Sequence, residues 1–188
     1  MLNILIQLLN DNHLYLNKEL RRIPDSSCSN VTIEVLDFDL IKDTFYRNLG
    51  LPENVKFKSA DALKIIPAQN KIIFIEMKKF DKSLGLKIDE FIKERIECFQ
   101  NKIIDSVLIL LGICGLYKIN NDFYKYFYNT SELTIKSVFL SNISSKDYVT
   151  ANIASLPSYK ISITKRIDEN ISFFTCETFQ SAIRNNTI

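Results

Sequence analysis

The fold is decided by residues 59–78, which read SADALKIIPAQNKIIFIEMK. Asp61 opens a short apolar segment, and Glu76 and Lys78 close a longer one. Successive side chains of a strand point to opposite faces, so Glu76 and Lys78 share a face while Met77 points the other way. If the two segments form a hairpin, Asp61 reaches that same face. Two carboxylates and an amine then meet at one end of a sheet, an arrangement typical of a site for a divalent metal ion and an attacking water.

The segments around this stretch predict a hairpin and a flanking strand. Pro67–Asn70 has turn composition and separates the predicted strands Ala62–Ile66 and Lys71–Lys78. Val55–Lys58 alternates strictly between apolar and basic residues, which predicts a strand with lysine on its exposed face. A further strand is predicted where apolar residues alternate between 31 and 35.

Helices are predicted on both sides of these strands. Asp39 is the expected N-cap of a first helix that stops at Gly50. Apolar residues then recur every three or four positions from about Ile88, which predicts the longest helix, ending at Gly112 or Gly115. The remaining predictions are a helical N-terminal region over 1–24, a strand at Thr134–Leu140, and short strands at Tyr159–Thr164 and Ile171–Phe179.

Composition is that of an ordinary soluble protein, with 46% apolar residues among 188 and a formal net charge of +2. The chain is long enough to bury one core, and we expect a single domain with its core over 38–141 and a C-terminal extension over 142–188. Positive charge is concentrated between residues 53 and 102, where eleven Lys or Arg stand against eight acids. A site built on several histidines is excluded, because His13 is the only histidine.

The four cysteines lack any Cys-x-x-Cys spacing, so we expect reduced thiols, no zinc site, and a cytoplasmic protein. Apolar runs at the N-terminus and at Val107–Leu111 are too short to cross a bilayer, so no membrane partner is expected.

With Asp61 at the start of the second core strand and Glu76-x-Lys78 at the end of the third, the chain resembles the PD-(D/E)XK nucleases. The resemblance covers roughly residues 38–141 in topology, and its motif rests on three residues. It implies the restriction-endonuclease-like fold, an α/β architecture in which an α-β-β-β-α-β core forms a mixed central sheet flanked by helices, here with N-terminal helical and C-terminal additions.

The resemblance also implies roles for the motif residues. Asp61 and Glu76 would bind magnesium or manganese, the backbone carbonyl of Met77 would be a further ligand, and Lys78 would orient or activate the water that attacks phosphorus. Magnesium prefers carboxylate and carbonyl oxygen and offsets charge on a phosphate, so this ligand set is chemically reasonable.

The sequence departs from the family at one motif position and leaves others open. Ala60 stands where the family has proline before the first acid. Many members carry an upstream acid, for which the candidates are Glu34, Asp39, Asp43 and Glu53. A residue on the helix after the third strand often contributes as well, and Gln100 and Lys102 are the candidates; contacts to nucleic acid are expected from Lys56, Lys58, Lys79 and Lys82.

The leading functional hypothesis is a metal-dependent nuclease that hydrolyses DNA in restriction, phage defence or repair, with a homodimer or partner protein as a possible assembly. A second hypothesis is a nuclease-fold interaction protein with an incomplete site. A third is a nuclease of the same chemistry that acts on RNA.

Overall fold

The computed structural model describes residues 1–24, 26–52, 57–81, 83, 85, 87–129, 131–143 and 171–188, and at residues 89, 93, 96, 97 and 100 it describes the backbone alone. The described helices are α1 Leu2–Asp11, α2 Phe38–Asn48, α3 Ile88–Leu116, α4 Asn121–Tyr128 and α5 Cys176–Arg184. The strands are β1 Asn17–Glu19, β2 Glu34–Asp37, β3 Ala62–Ile66, β4 Lys71–Lys78, β5 Thr134–Ser141 and β6 Ser172–Phe174.

These strands form one mixed sheet of six, flanked by helices, in the spatial order β1-β2-β3-β4-β5-β6. The pairs from β1 to β4 are antiparallel, whereas β4 pairs with β5, and β5 with β6, in parallel. The predicted α/β class is therefore confirmed. None of the described helices, including the 29-residue α3, is apolar over a sufficient length to cross a membrane.

The predicted hairpin is present, with its turn at the predicted residues. Leu63 pairs with Phe74 and Ile66 with Lys71, so β3 and β4 are antiparallel neighbours. A 3-10 turn over Pro67–Gln69 joins them and ends at Asn70 in the left-handed region, φ 49°. Asparagine tolerates that region better than most residues, so it suits the reversal of the chain.

Both faces of β4 are covered, which explains its near-continuous apolar sequence. Ile72 and Phe74 face a core formed by α1, α2, α3 and α4. Ile73, Ile75 and Met77 face a second core on the other side, which includes α5 and the loop before β2. Glu76 and Lys78 continue the alternation of Ile72 and Phe74, so they lie on the face covered by α3.

The first core helix begins two residues before the position predicted from sequence. Asp37, the last residue of β2, is the N-cap, and its Oδ1 accepts a hydrogen bond from the backbone N–H of Leu40 at 3.0 Å. The prediction of Asp39 as N-cap is wrong, because Asp39 already lies in the first turn of α2. Asp37 and Asp39 both precede the apolar periodic residues of α2, so sequence alone does not show which one is the N-cap. The position at which β2 ends makes it Asp37.

Four other sequence predictions need correction. The strand expected between residues 31 and 35 is instead β2, Glu34–Asp37. The N-terminal region is not wholly helical, because Asn17–Glu19 forms edge strand β1 against β2. Phe57 and Lys58 belong to no strand, and residues 53–56 lie outside the described residues. Within Ile171–Phe179 the strand stops at Phe174, because Thr175 caps α5 by accepting from the N–H of Thr178. The strand predicted at Tyr159–Thr164 also lies outside the described residues.

Two of the four cysteines form a disulfide, so the expectation of four reduced thiols is wrong. Cys28, in the loop before β2, is bonded to Cys176, the first residue of α5, across a separation of 148 residues. Both residues are buried in the core that covers the Met77 face of the sheet. Their spacing in sequence carries no signal, because only the packing of α5 against that loop brings them together. Cys98 and Cys114 are free thiols, and burial raises the pKa of Cys114 to about 12.

Candidate functional site

The motif residues converge at one end of the hairpin. Lys78 Nζ lies 2.8 Å from Glu76 Oε1 and 3.4 Å from Asp61 Oδ2. Lys102, from α3, places its Nζ 2.6 Å from Glu76 Oε1 and 3.5 Å from Asp61 Oδ1. Two carboxylates and two ammonium groups therefore form one cluster between the sheet and α3.

Asp61 is fixed in this cluster by the hairpin itself. Asp61 lies one residue before the first paired residue of β3, and its Oδ2 accepts a hydrogen bond from the backbone N–H of Met77 at 2.7 Å. Its backbone oxygen accepts from the N–H of Phe38 at 3.2 Å, at the start of α2. Asp61 thus closes the sheet end with its side chain, and one carboxylate oxygen, Oδ1, is directed toward Lys102.

The segment leading into Asp61 is attached to α3 by two side chains. The buried hydroxyl of Ser106 accepts from the N–H of Ala60 at 2.8 Å and donates to the backbone oxygen of Lys102 at 2.6 Å. Asp105 Oδ2 accepts from the N–H of Lys58 at 3.1 Å. These bonds hold the segment just before Asp61 against the turn of α3 that follows Lys102. Asp61 and Lys102 are thereby kept close to each other.

Glu76 is the most deeply buried member of the cluster, with 1% of its surface exposed. Burial raises the pKa of its carboxyl, and the charge of Asp61 raises it further, against the opposing effect of both lysines. Its second oxygen, Oε2, is buried and has no hydrogen-bond partner among the described residues. An unpartnered buried carboxylate oxygen is costly unless a ligand satisfies it.

Lys102 is held charged by the same groups. Burial alone lowers the pKa of Lys102, but Glu76, Asp61 and Asp39 outweigh it, and the pKa is raised overall. The pKa of Glu76 and the pKa of Lys102 can both be raised. Burial makes the carboxylate of Glu76 costly, yet that carboxylate still stabilises the ammonium of Lys102 2.6 Å away. The cluster is best described as carboxylates whose charge two lysines balance.

Of the candidate upstream acids, the structure brings Asp39 toward the cluster. Asp39 Oδ1 accepts from the hydroxyl of Ser59, two residues before Asp61, and from Lys42 Nζ at 2.8 Å. Glu34 lies on β2, next to edge strand β1, with an exposed side chain, and Asp43 lies one turn further along α2, 3.7 Å from Lys42 Nζ. Glu53 lies outside the described residues.

The candidates on α3 and for nucleic-acid contact are placed as follows. Lys102 reaches the cluster, whereas the side chain of Gln100 lies outside the described residues. Lys58 and Lys79 have exposed side chains close in sequence to Asp61 and Lys78, while Lys56 and Lys82 lie outside the described residues. The shallow groove along α5, lined by Phe174 and Glu177 among others, is on the opposite face of the sheet.

The donor set suits a magnesium ion. Magnesium is bound by one or two carboxylates together with water and substrate oxygen, and it seldom needs a cage made wholly of protein. Asp61 Oδ1 and the two oxygens of Glu76 supply carboxylate donors, and no described group donates a hydrogen bond to buried Glu76 Oε2. Among the described residues no three Asp, Glu, His or Cys side chains gather as a metal cluster, so the described part of the chain supplies two carboxylates to the site.

Sequence reasoning left Lys102 undecided and missed Ser59 and Ser106. One signal for Ser106 exists, since it is a polar residue among the apolar positions Ile103, Val107 and Leu110 of a helix face. Such a residue on a core-facing stripe must find a hydrogen-bond partner.

Comparison of this chain with models of protein families, with curated proteins and with solved structures gave no match.

Proposed function

We propose that this protein is a metal-dependent nuclease that hydrolyses phosphodiester bonds in DNA, with a site of the PD-(D/E)XK type. The observation that supports it best is the meeting of Asp61, Glu76 and Lys78 at one sheet end, where the part of the chain that the structure describes gives buried Glu76 Oε2 no hydrogen-bond partner. The hairpin brings Asp61 next to the end of β4, and the alternation of β4 puts Glu76 and Lys78 on one face. Helix α3 covers that face and contacts Glu76 through Lys102.

In this proposal Asp61 and Glu76 hold a magnesium or manganese ion, with the Met77 carbonyl as a further oxygen donor. Bound there, the ion would polarise a phosphate oxygen and offset the charge that develops in the transition state. Asp39 is the upstream acid best placed to assist, because its charge acts on Lys102 and its carboxylate is held by Ser59.

Lys78 has the position expected of a group that orients the reacting water and stabilises negative charge. Its Nζ is held by both carboxylates, and its side chain is 29% exposed, in contrast to 2% for Glu76. The ammonium is therefore at the open side of the cluster, where it can donate a hydrogen bond to water or to a phosphate oxygen. Lys58 and Lys79 extend the positive surface for the nucleic-acid backbone.

One observation favours a second function, that of an interaction protein that keeps the nuclease fold without activity. Two ammonium groups balance the two carboxylates, and a balanced buried cluster can serve structure alone.

A cleavage assay separates these functions. Plasmid DNA, linear DNA and RNA are incubated with the protein in magnesium or manganese, beside Asp61→Ala and Lys78→Ala variants whose folding is checked by circular dichroism. The matched controls are Asp122→Ala and Lys125→Ala, an exposed ion pair on α4 at 3.1 Å that lies outside the site. We expect cleavage by wild type and both controls, and loss of at least a hundredfold in the two site variants.

Cleavage that persists in both site variants would show that the activity resides elsewhere. No cleavage of any substrate in either metal would favour the interaction protein, and cleavage of RNA alone would reassign the substrate.

A further inference from the structure

Lys102 and Lys78 contact Glu76 at the same oxygen, but they contact Asp61 at different ones. Lys78 lies near Asp61 Oδ2, which the N–H of Met77 already occupies at 2.7 Å. Lys102 lies near Asp61 Oδ1, for which the described residues provide no hydrogen-bond donor other than this ammonium. Lys102 Nζ therefore sits between one oxygen of each carboxylate, Asp61 Oδ1 and Glu76 Oε1.

The side chains of Lys102 and Lys78 also differ in how far they are buried. The side chain of Lys102 is 16% exposed, whereas that of Lys78 is 29% exposed. Lys102 also approaches from α3, on the far side of the cluster from the strand, and its long flexible stem allows the ammonium to move without a change in the backbone. A shift of this side chain would open the space between Asp61 Oδ1 and Glu76 Oε1.

We propose that Lys102 is an internal counter-ion that occupies the metal position of this site and is displaced when a divalent cation binds. The proposal rests on the proposed function, because it takes Asp61 and Glu76 as the metal ligands. A divalent ion between Asp61 Oδ1 and Glu76 Oε1 would take the place that Lys102 Nζ occupies and would repel that ammonium strongly. Metal affinity is consequently set by competition with Lys102.

This competition has two consequences. In the absence of metal, the Lys102 ammonium lies between the two neighbouring carboxylates and offsets the repulsion between them. With metal bound, the released ammonium lies beside the cluster, where it is free to contact a phosphate oxygen of the substrate.

The test measures metal affinity by calorimetric titration with manganese, in the absence of nucleic acid. Lys102→Met keeps the length and apolar stem of the side chain and removes the ammonium. The comparison variants are Lys78→Met, which removes the other ammonium, and Lys125→Met, which removes an exposed positive charge on α4. We expect manganese affinity to rise at least tenfold in Lys102→Met, by a smaller factor in Lys78→Met, and by less than twofold in Lys125→Met.

Several results would overturn the proposal. Unchanged or weaker manganese binding by Lys102→Met would mean that the lysine does not compete, and an equal or larger gain in Lys78→Met would place the displaced ammonium on Lys78. Failure of every variant to bind manganese would also refute it. If Lys102→Met fails to fold by circular dichroism, Lys102→Gln is titrated in its place with the same expected direction.

The failure of this proposal is distinguishable from failure of the proposed function. Wild-type cleavage that depends on Asp61 and Lys78, together with unchanged manganese affinity in Lys102→Met, would keep the nuclease and discard the counter-ion. Tighter binding in Lys102→Met without cleavage of any substrate would keep the counter-ion and discard the nuclease.

Discussion

Replacement of Asp61 separates the structural role of its side chain from its chemical role. Asp61→Ala removes the acceptor of the Met77 N–H, a bond of 2.7 Å in which the carboxylate is only 13% exposed. A buried N–H without a partner costs about 1 to 3 kcal/mol. The two lysines also lose one of two compensating charges, although Glu76 still pairs with both. Together we expect about 2 to 4 kcal/mol of lost stability.

Asp61→Asn is the matched variant. Its amide oxygen can still accept from Met77 N–H, so only the charge is lost, and we expect a cost of about 1 kcal/mol. Urea denaturation of wild type, Asp61→Ala and Asp61→Asn measures both values, provided that the slope with urea is unchanged. Cleavage is expected to be lost in both variants, because neither supplies a carboxylate.

Two results would refute this reasoning. Asp61→Ala with a stability within about 0.5 kcal/mol of wild type would mean that the hydrogen bond to Met77 does not hold the sheet end. Asp61→Asn with unchanged cleavage would remove Asp61 from the site.

Three further predictions concern the disulfide, the buried carboxyl and the serine on α3. Cys28→Ser should lower the free energy of unfolding by about 5 kcal/mol, because the disulfide closes a loop of 148 residues. Mass spectrometry after alkylation should find two free thiols in wild type. Four free thiols would restore the expectation of a reduced, cytoplasmic protein. Burial raises the pKa of Glu76, so the contribution of this carboxyl to stability is present below its ordinary pKa and is lost as pH rises through the raised value. Unfolding measured from pH 4 to 8 should therefore show that wild type loses stability relative to Glu76→Gln, by about 1.4 kcal/mol for each unit by which the pKa is raised. A difference in stability between the two proteins that stays constant with pH would contradict this prediction. Ser106→Ala should cost about 1 to 3 kcal/mol in urea denaturation, because the N–H of Ala60 loses its buried acceptor, whereas Ser106→Thr, which keeps a hydroxyl, should cost less.

The hairpin was predictable because its signals are local. Alternation in residues 71–78 and the turn composition of Pro67–Asn70 specify two strands and their connection, and strand geometry alone then places Glu76 and Lys78 on one face. The long helix was equally predictable, since a period of 3.6 is sustained over many turns from Ile88.

The parts that were missed depend on tertiary contacts. Asp37 and Asp39 are equivalent as caps until the end of β2 is known. The contact of Lys102 with Glu76 and the bond between Cys28 and Cys176 join residues 26 and 148 positions apart, so no periodicity reveals them. Residues 172–184 divide into a strand and a helix because Thr175 caps α5, a choice that competes with strand propensity in the same segment.

The most direct test of the proposed metal site is the position of a bound ion. Crystals soaked in manganese and measured for anomalous scattering should give a peak between Asp61 and Glu76, about 2.1 Å from an oxygen of each carboxylate, with Lys102 Nζ moved away. A peak bound by other residues, or no peak while Lys102 stays on both carboxylates, would contradict the claim that this cluster is a metal site.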